Sequence, residues 1–90
     1  MTSINVLSPA TALGLLCQLQ QFFRLPGYIR SEAIAAFWSC SQSTVCRRLK
    51  AIHHHGLAVV RSEVLEARKR WYWIDPLIIH SAHGEVVPWA

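Results

Sequence analysis

His53, His54 and His55 stand side by side, with Cys46 upstream of them and Cys40 further back. Histidine and cysteine are the zinc-ligand types, so the cluster invites a metal-site reading. The spacing argues against it. Consecutive residues on a helix point about 100° apart, so three adjacent imidazoles cannot converge on one ion while helical. Cys46 and His53 on one helix would lie about 10 Å apart along its axis, too far to share an ion. No metal and no other cofactor is expected, and the internal placement excludes a terminal tag. At the carbonyl end of a helix, protonated imidazoles are favoured by the dipole.

The second group that can do chemistry is cationic. Seven of the nine Lys and Arg residues are Arg47, Arg48, Lys50, Arg61, Arg68, Lys69 and Arg70, and only Glu63 and Glu66 oppose them in that segment. The formal net charge is +4 and the pI about 9.4. Positive charge concentrated in one segment of a small domain is the footprint of a polyanionic partner. Catalysis has less to work with. There is no phosphate-binding glycine loop, HExxH or GxSxG motif, and five scattered acidic residues do not form an acid/base pair. A non-enzymatic protein is expected, and no small-molecule ligand is evident from the sequence.

Ninety residues with 52% hydrophobic and 16% charged side chains suffice for one domain, 1–90, with a packed core over 8–76. No apolar run is long enough to span a bilayer, so no membrane partner is expected. "LGLLCQLQQFF" is broken by glutamines and lacks a basic leader, which argues against a signal peptide. Three cysteines do not suggest a disulfide scaffold, and they fit a reducing, cytoplasmic setting.

These side chains need elements to position them. Ser8-Pro9 opens a helix from Ala10 to about Arg24, with Leu13, Leu16, Leu19 or Gln20, and Phe23 inward and Leu15 and Phe22 widening the stripe. Pro26-Gly27 ends it. Tyr28-Ile29-Arg30 is long enough for a one-bridge strand only. Ser31 caps a second helix buried through Ala33, Ile34, Phe37 and Trp38, with Glu32 in its first turn. Ser41 caps a third, Gln42 to His54, stopped by Gly56. On this helix Val45, Leu49 and Ile52 share the core sector. Ser43, Arg47, Lys50 and His54 face the opposite way, with Thr44 and Ala51 on one flank. Leu57–Arg61 and Arg70–Asp75 then read as strands around a polar stretch, 62–69, forming a hairpin that Pro76 ends. The tail, 77–90, is a short helix, an added strand or an interface arm.

The stretch "SEAIAAFWSCSQSTVCRRLKAIHHHGLAVV" resembles the DNA-binding segment of bacterial winged helix-turn-helix regulators of the MarR-like and ArsR-like families. Ser41, Ser43, Thr44, Val45, Arg47, Leu49, Ile52, Gly56, Leu57 and Val59 stand at that pattern's places, and "RKRWYWID" resembles the wing's return strand. The resemblance covers roughly residues 28 to 75. It implies an α+β winged helix-turn-helix, three helices plus a two- to three-stranded β-hairpin wing. It also implies that Tyr72 and Ile74 face the core.

Duplex DNA is then the expected partner, with Gln42–His54 as recognition helix in the major groove. Gln42, Ser43, Thr44, Arg47, Arg48, Lys50 and His54 are its expected contacts, since Arg pairs bidentately with guanine, Gln with adenine, and Ser and Thr hold phosphates. Arg68, Lys69 and Arg70 on the wing are assigned to phosphates or the minor groove, positioning the protein without reading bases. Trp71, Trp73 and, in the tail, Trp89 are expected at a homodimer interface, because exposed tryptophan is enriched at interfaces. A covering by the tail or the first helix is the other explanation, and stacking on single strands a third. The function expected is a sequence-specific transcription regulator, of a size that suits phage- or plasmid-borne regulators. The alternative is a winged-helix protein-interaction module in a replication or regulatory complex.

Overall fold

In the computed structural model, which describes residues 7–80 and 86–88, the Ser8 hydroxyl accepts the Thr11 N–H at 3.2 Å and starts α1 (Pro9–Phe22). Ala12, Leu16 and Leu19 are its buried positions, one turn apart each. Leu13 and Leu15 are half-buried. Phe22 corrects the expected stripe: it is 68% exposed and lies tilted against Phe37, ring centres 5.0 Å apart. It sits at the last helical turn, where the chain leaves the core, while Phe23 beyond it packs inward.

Gly27 follows under a tight constraint, since a Cβ there would meet the Arg24 carbonyl oxygen at 2.8 Å. It opens β1 (Gly27–Arg30), which is more than the single bridge expected. All four residues pair antiparallel with β3 (Arg70–Pro76), Gly27 with Ile74 through to Arg30 with Trp71. The reason is non-local: β3 offers a full ladder, and unpaired backbone groups beside it would cost a hydrogen bond each. In α2 (Ser31–Trp38) a second expectation is corrected. Ser31 is the first helical residue and not the cap; Arg30 holds that place without a side-chain bond. Ile34 is fully buried, and Ala33, Phe37 and Trp38 pack half-buried against the core.

The third helix runs where its signals put it. Ser41 accepts the Thr44 N–H at 3.2 Å, and α3 spans Gln42–His54. Val45, Leu49 and Ile52 are at most 1% exposed. Ala51 joins them, which corrects its placement on the outer flank; α1 packs against α3 and claims more of its circumference than an isolated amphipathic helix would surrender. At the end, Gly56 donates to His53 O at 3.0 Å and Leu57 to Ile52 O at 3.1 Å, with Gly56 at φ +72°. That pair of bonds closes the helix through a left-handed residue. Gly56→Ala is therefore expected to lower stability by about 1 kcal/mol, read as a shift in the urea midpoint.

β2 (Ala58–Val64) pairs antiparallel along its whole length with β3, so the strand continues through Ser62–Val64, residues expected in the turn. The turn itself is 65–69, with Ala67 and Arg68 at positive φ (56° and 58°). The sheet order is β1-β3-β2, and with the three helices the fold is α+β. Tyr72 and Ile74 face the core, 4% and 0% exposed, as expected. In the tail, β4 (Ile78–His80) pairs antiparallel with β5 (Val86–Pro88), which decides for strands over a helix. Among the described residues no helix is long and apolar enough to cross a membrane.

Candidate functional site

On α3 the residues stand in three sectors. Ser43, Arg47, Lys50 and His54 are exposed. The first turn is tied together: Ser41 and Ser43 hydroxyls are 3.0 Å apart, the Ser41 hydroxyl donates to Thr44 Oγ1 at 3.1 Å, and Arg47 Nη2 donates to the same oxygen at 3.1 Å. The bond to Thr44 holds the Arg47 guanidinium toward the amino end of the helix and restricts its rotamers. Gln42 is exposed at the first position.

Arg48 stands apart. Its guanidinium lies over the Trp38 ring at 5.2 Å and is half-buried on the α2 side, a cation–π arrangement that ties α3 to α2. The structure does not bring it together with Arg47 and Lys50.

Cys46 and His53 form the third sector, facing the hairpin, with Lys50 on the boundary between it and the exposed face. They border a groove between α3 and β2–β3 that also takes in Ser62, Arg70 and Tyr72. Among the described residues no carboxylate lines it. Burial, with the neighbouring Cys46 thiol adding to it, pushes the Tyr72 phenol up to about 12. The consequence for stability follows from linkage. The neutral phenol is favoured in the fold, so from about pH 10 to about pH 12 the unfolded chain gives up the proton first and stability falls as pH rises. Between about pH 9 and about pH 11 this group is expected to remove about 1 kcal/mol, a loss absent in Tyr72→Phe when both are followed by urea melts.

The hairpin places its cations unequally. Arg68 is exposed in the turn. Lys69 Nζ is 3.3 Å from Glu32 Oε2 at the start of α2, and Arg30 shares that carboxylate at 3.7 Å. Arg70 donates to the Ser62 hydroxyl. Arg47, Lys50, Arg68 and Arg70 have no carboxylate within ion-pair distance among the described residues.

The histidines serve three separate contacts. His53 Nδ1 accepts the Val60 N–H at 3.1 Å, joining α3 to β2. His55 Nε2 bonds Leu7 O at 2.7 Å, joining α3 to the segment before α1. His54 stays exposed, in edge contact with the His55 ring. No sequence signal marked His53 and His55 as such joints, because the pairing depends on where the chain returns. Ser62 and Ser31 in the groove were missed for the same reason.

On the other face of the sheet, Trp71 and Trp73 are half-buried. Trp73 meets Tyr28 edge-on at 5.0 Å and lies under Arg61 at 5.5 Å. Tyr28 donates to the Glu63 carboxylate at 3.0 Å, which raises its own phenol above the ordinary value. The covering of Trp73 thus comes from β1 and β2. Trp71 Nε1 is buried without a hydrogen-bond partner among the described residues. Trp89 lies outside the described residues. No family model, curated protein or solved structure matches the chain.

Proposed function

We propose that the chain is a duplex-DNA-binding transcription regulator of the winged helix-turn-helix kind, with α3 in the major groove and the β2–β3 hairpin as the wing on the backbone. The observation that carries this reading is the groove. Its walls combine the amino-terminal turns and Lys50 of α3 with Arg70 of the hairpin, and no carboxylate among the described residues intervenes. The order of three helices and a three-stranded antiparallel sheet is compatible with the same architecture.

The division of labour follows from what each side chain is free to do. Arg47 is pre-oriented by Thr44 and presents a planar fork suited to guanine O6 and N7. Gln42 and Ser43 sit where the helix enters the groove. Lys50, Arg68, Lys69 and Arg70 take phosphates, which fix register and supply the salt-dependent affinity. His54, at the carbonyl end of the same face, reaches the backbone. Arg48 drops out of the contact set, since its charge is spent on Trp38. A homodimer on a pseudo-palindromic site completes the reading, with Trp71 and Trp73 at the interface.

The second reading, a protein-interaction module, rests on the outer sheet face. There the indole N–H of Trp71 has no acceptor among the described residues and aromatic surface is only partly covered. Fluorescence anisotropy with labelled mixed-sequence duplex at low salt separates the two. Binding that competes with unlabelled duplex supports the regulator; its absence at every protein concentration up to the solubility limit leaves the outer face as the functional surface.

A further inference from the structure

The 14 residues of α1, PATALGLLCQLQQF, include no Lys, Arg, Asp or Glu. A surface helix ordinarily turns a charged face to water. Depletion of charge together with aromatic enrichment is instead the composition of an interface centre. The last turns of α1 build one. Gln18 and Phe22, one turn apart, stand beside Phe37 and Trp38 at the end of α2. Trp38 Nε1 donates to Gln18 Oε1 at 3.1 Å, and the Phe37 ring lies 5.0 Å from Phe22 and 5.4 Å, edge-on, from Phe23. Phe37 and Trp38 are half-buried, so the row is fixed by the fold, while Phe22 leaves 68% of its surface in water. An aromatic ring held in place but uncovered is a preformed binding anchor.

Cations flank the row. Arg48 stacks on Trp38 at 5.2 Å. Stacking occupies the face of a guanidinium and leaves its N–H edge for an acceptor. Arg24 is exposed, two residues beyond Phe22 in the chain. Neither arginine has a carboxylate within ion-pair distance among the described residues. The described carboxylates stand elsewhere: Glu32 pairs with Arg30 and Lys69, Glu63 pairs with Arg61, Glu66 lies in the hairpin turn and Asp75 on β3. An aromatic centre with unpaired cations at its rim is complementary to apolar anchors set between carboxylates. A second copy of this chain, with a formal net charge of +4, would bring like charges to that rim. A nucleic-acid backbone would find two cations beside an uncharged helix, too few to hold it.

We propose that the α1–α2 row docks an acidic peptide segment of another protein. Bulky apolar side chains of that segment cover Phe22 and Phe37, and its carboxylates meet the guanidinium edges of Arg48 and Arg24. The inference stands apart from the DNA-binding reading, because Arg47 and Lys50 take no part in it.

The test uses the whole chain, isotope-labelled, and a synthetic peptide of about twelve residues with Leu at helical i, i+4 and i+7 and Asp or Glu between. Two reference peptides are titrated alongside: the same sequence with Gln or Asn for every acid, and polyglutamate of equal length. The acidic amphipathic peptide is expected to give saturable shifts centred on the amides of Phe22 and Phe37 and the indole N–H of Trp38. Each reference peptide should bind at least about tenfold more weakly, since each lacks half of the recognition. Phe22→Ala should weaken the acidic peptide by about tenfold or more while the urea midpoint shows the chain still folded. Arg24→Gln should weaken the acidic peptide and leave its neutral version unchanged. Lys50→Gln, on the exposed face of α3, should leave both unchanged. Absence of saturable shifts overturns the proposal, as does polyglutamate binding as tightly as the amphipathic peptide. Losses from Lys50→Gln as large as those from Phe22→Ala also overturn it, because the peptide would then lie on α3. Sedimentation gives the remaining contrary result: if Phe22→Ala abolishes self-association and leaves peptide binding intact, the row belongs to a second copy of the chain.

Discussion

Ile52→Ala is expected to lower the unfolding free energy by about 2–5 kcal/mol, a large part of the roughly 5–15 kcal/mol available to a domain of this size. Ile52 is fully buried. It sits in the last turns of α3, where that helix meets the core, and its carbonyl accepts the Leu57 N–H that closes the helix end. Removing three carbons there leaves a cavity bounded by a capped helix and a paired sheet. Neither can collapse into the space without breaking its own hydrogen bonds, so the cost falls in the upper half of that range. Urea denaturation followed by circular dichroism gives the number directly. The contrasting substitution is Phe22→Ala on α1, where 68% exposure predicts a change within about 0.5 kcal/mol beyond the loss of its contact with Phe37. Equal losses from the two would contradict the placement of the core.

The other large effect concerns binding. Arg47→Ala is expected to weaken binding to a preferred duplex by about 1–3 kcal/mol and to relax base choice at one position. Its tether to Thr44 adds a second expectation: Thr44→Val frees the guanidinium and lowers discrimination with less effect on total affinity. Lys69→Ala should weaken all sequences alike, and by less, because Glu32 already offsets its charge. Glu32→Gln should then strengthen binding to any duplex. Arg48→Ala should leave affinity nearly unchanged while lowering stability, since its partner is Trp38. Equal, sequence-blind losses from Arg47→Ala and Lys69→Ala would refute the division between reading and positioning.

What could be read in the sequence was what neighbouring residues decide. The Ser8 and Ser41 caps and the Gly56 stop are local chemistry, and α3 runs over the residues those signals enclose. Alternation on β3 put Tyr72 and Ile74 on one face because a strand has a fixed period, and the resemblance named that face as the inward one, where both lie. What escaped the reading depends on residues far apart in the chain. The length of β1 is set by β3, more than forty positions away in sequence. The extension of β2 through Ser62–Val64 is set by the same partner, against a polar composition that suggests a turn. Ser31 looked like a cap because serine before a glutamate usually is one; here the strand runs straight into the helix and buries it. The candidate site divides similarly. The face of Ser43, Arg47 and Lys50 is helical periodicity alone. The withdrawal of Arg48 onto Trp38, the pairing of Lys69 with Glu32, and the groove beside Cys46 all needed the elements assembled.

The central claim, that α3 and the hairpin together present a phosphate-neutralising surface to duplex DNA, is tested most directly by the salt dependence of binding. Association constants for a mixed-sequence duplex are measured across a series of monovalent salt concentrations. If Lys50, Arg68, Lys69 and Arg70 act together on phosphates, the slope of log K against log salt should be about −4, and alanine substitution of any one of them should flatten it by about 1. A slope near zero, or one unchanged by Lys50→Ala and Arg70→Ala, would contradict the account.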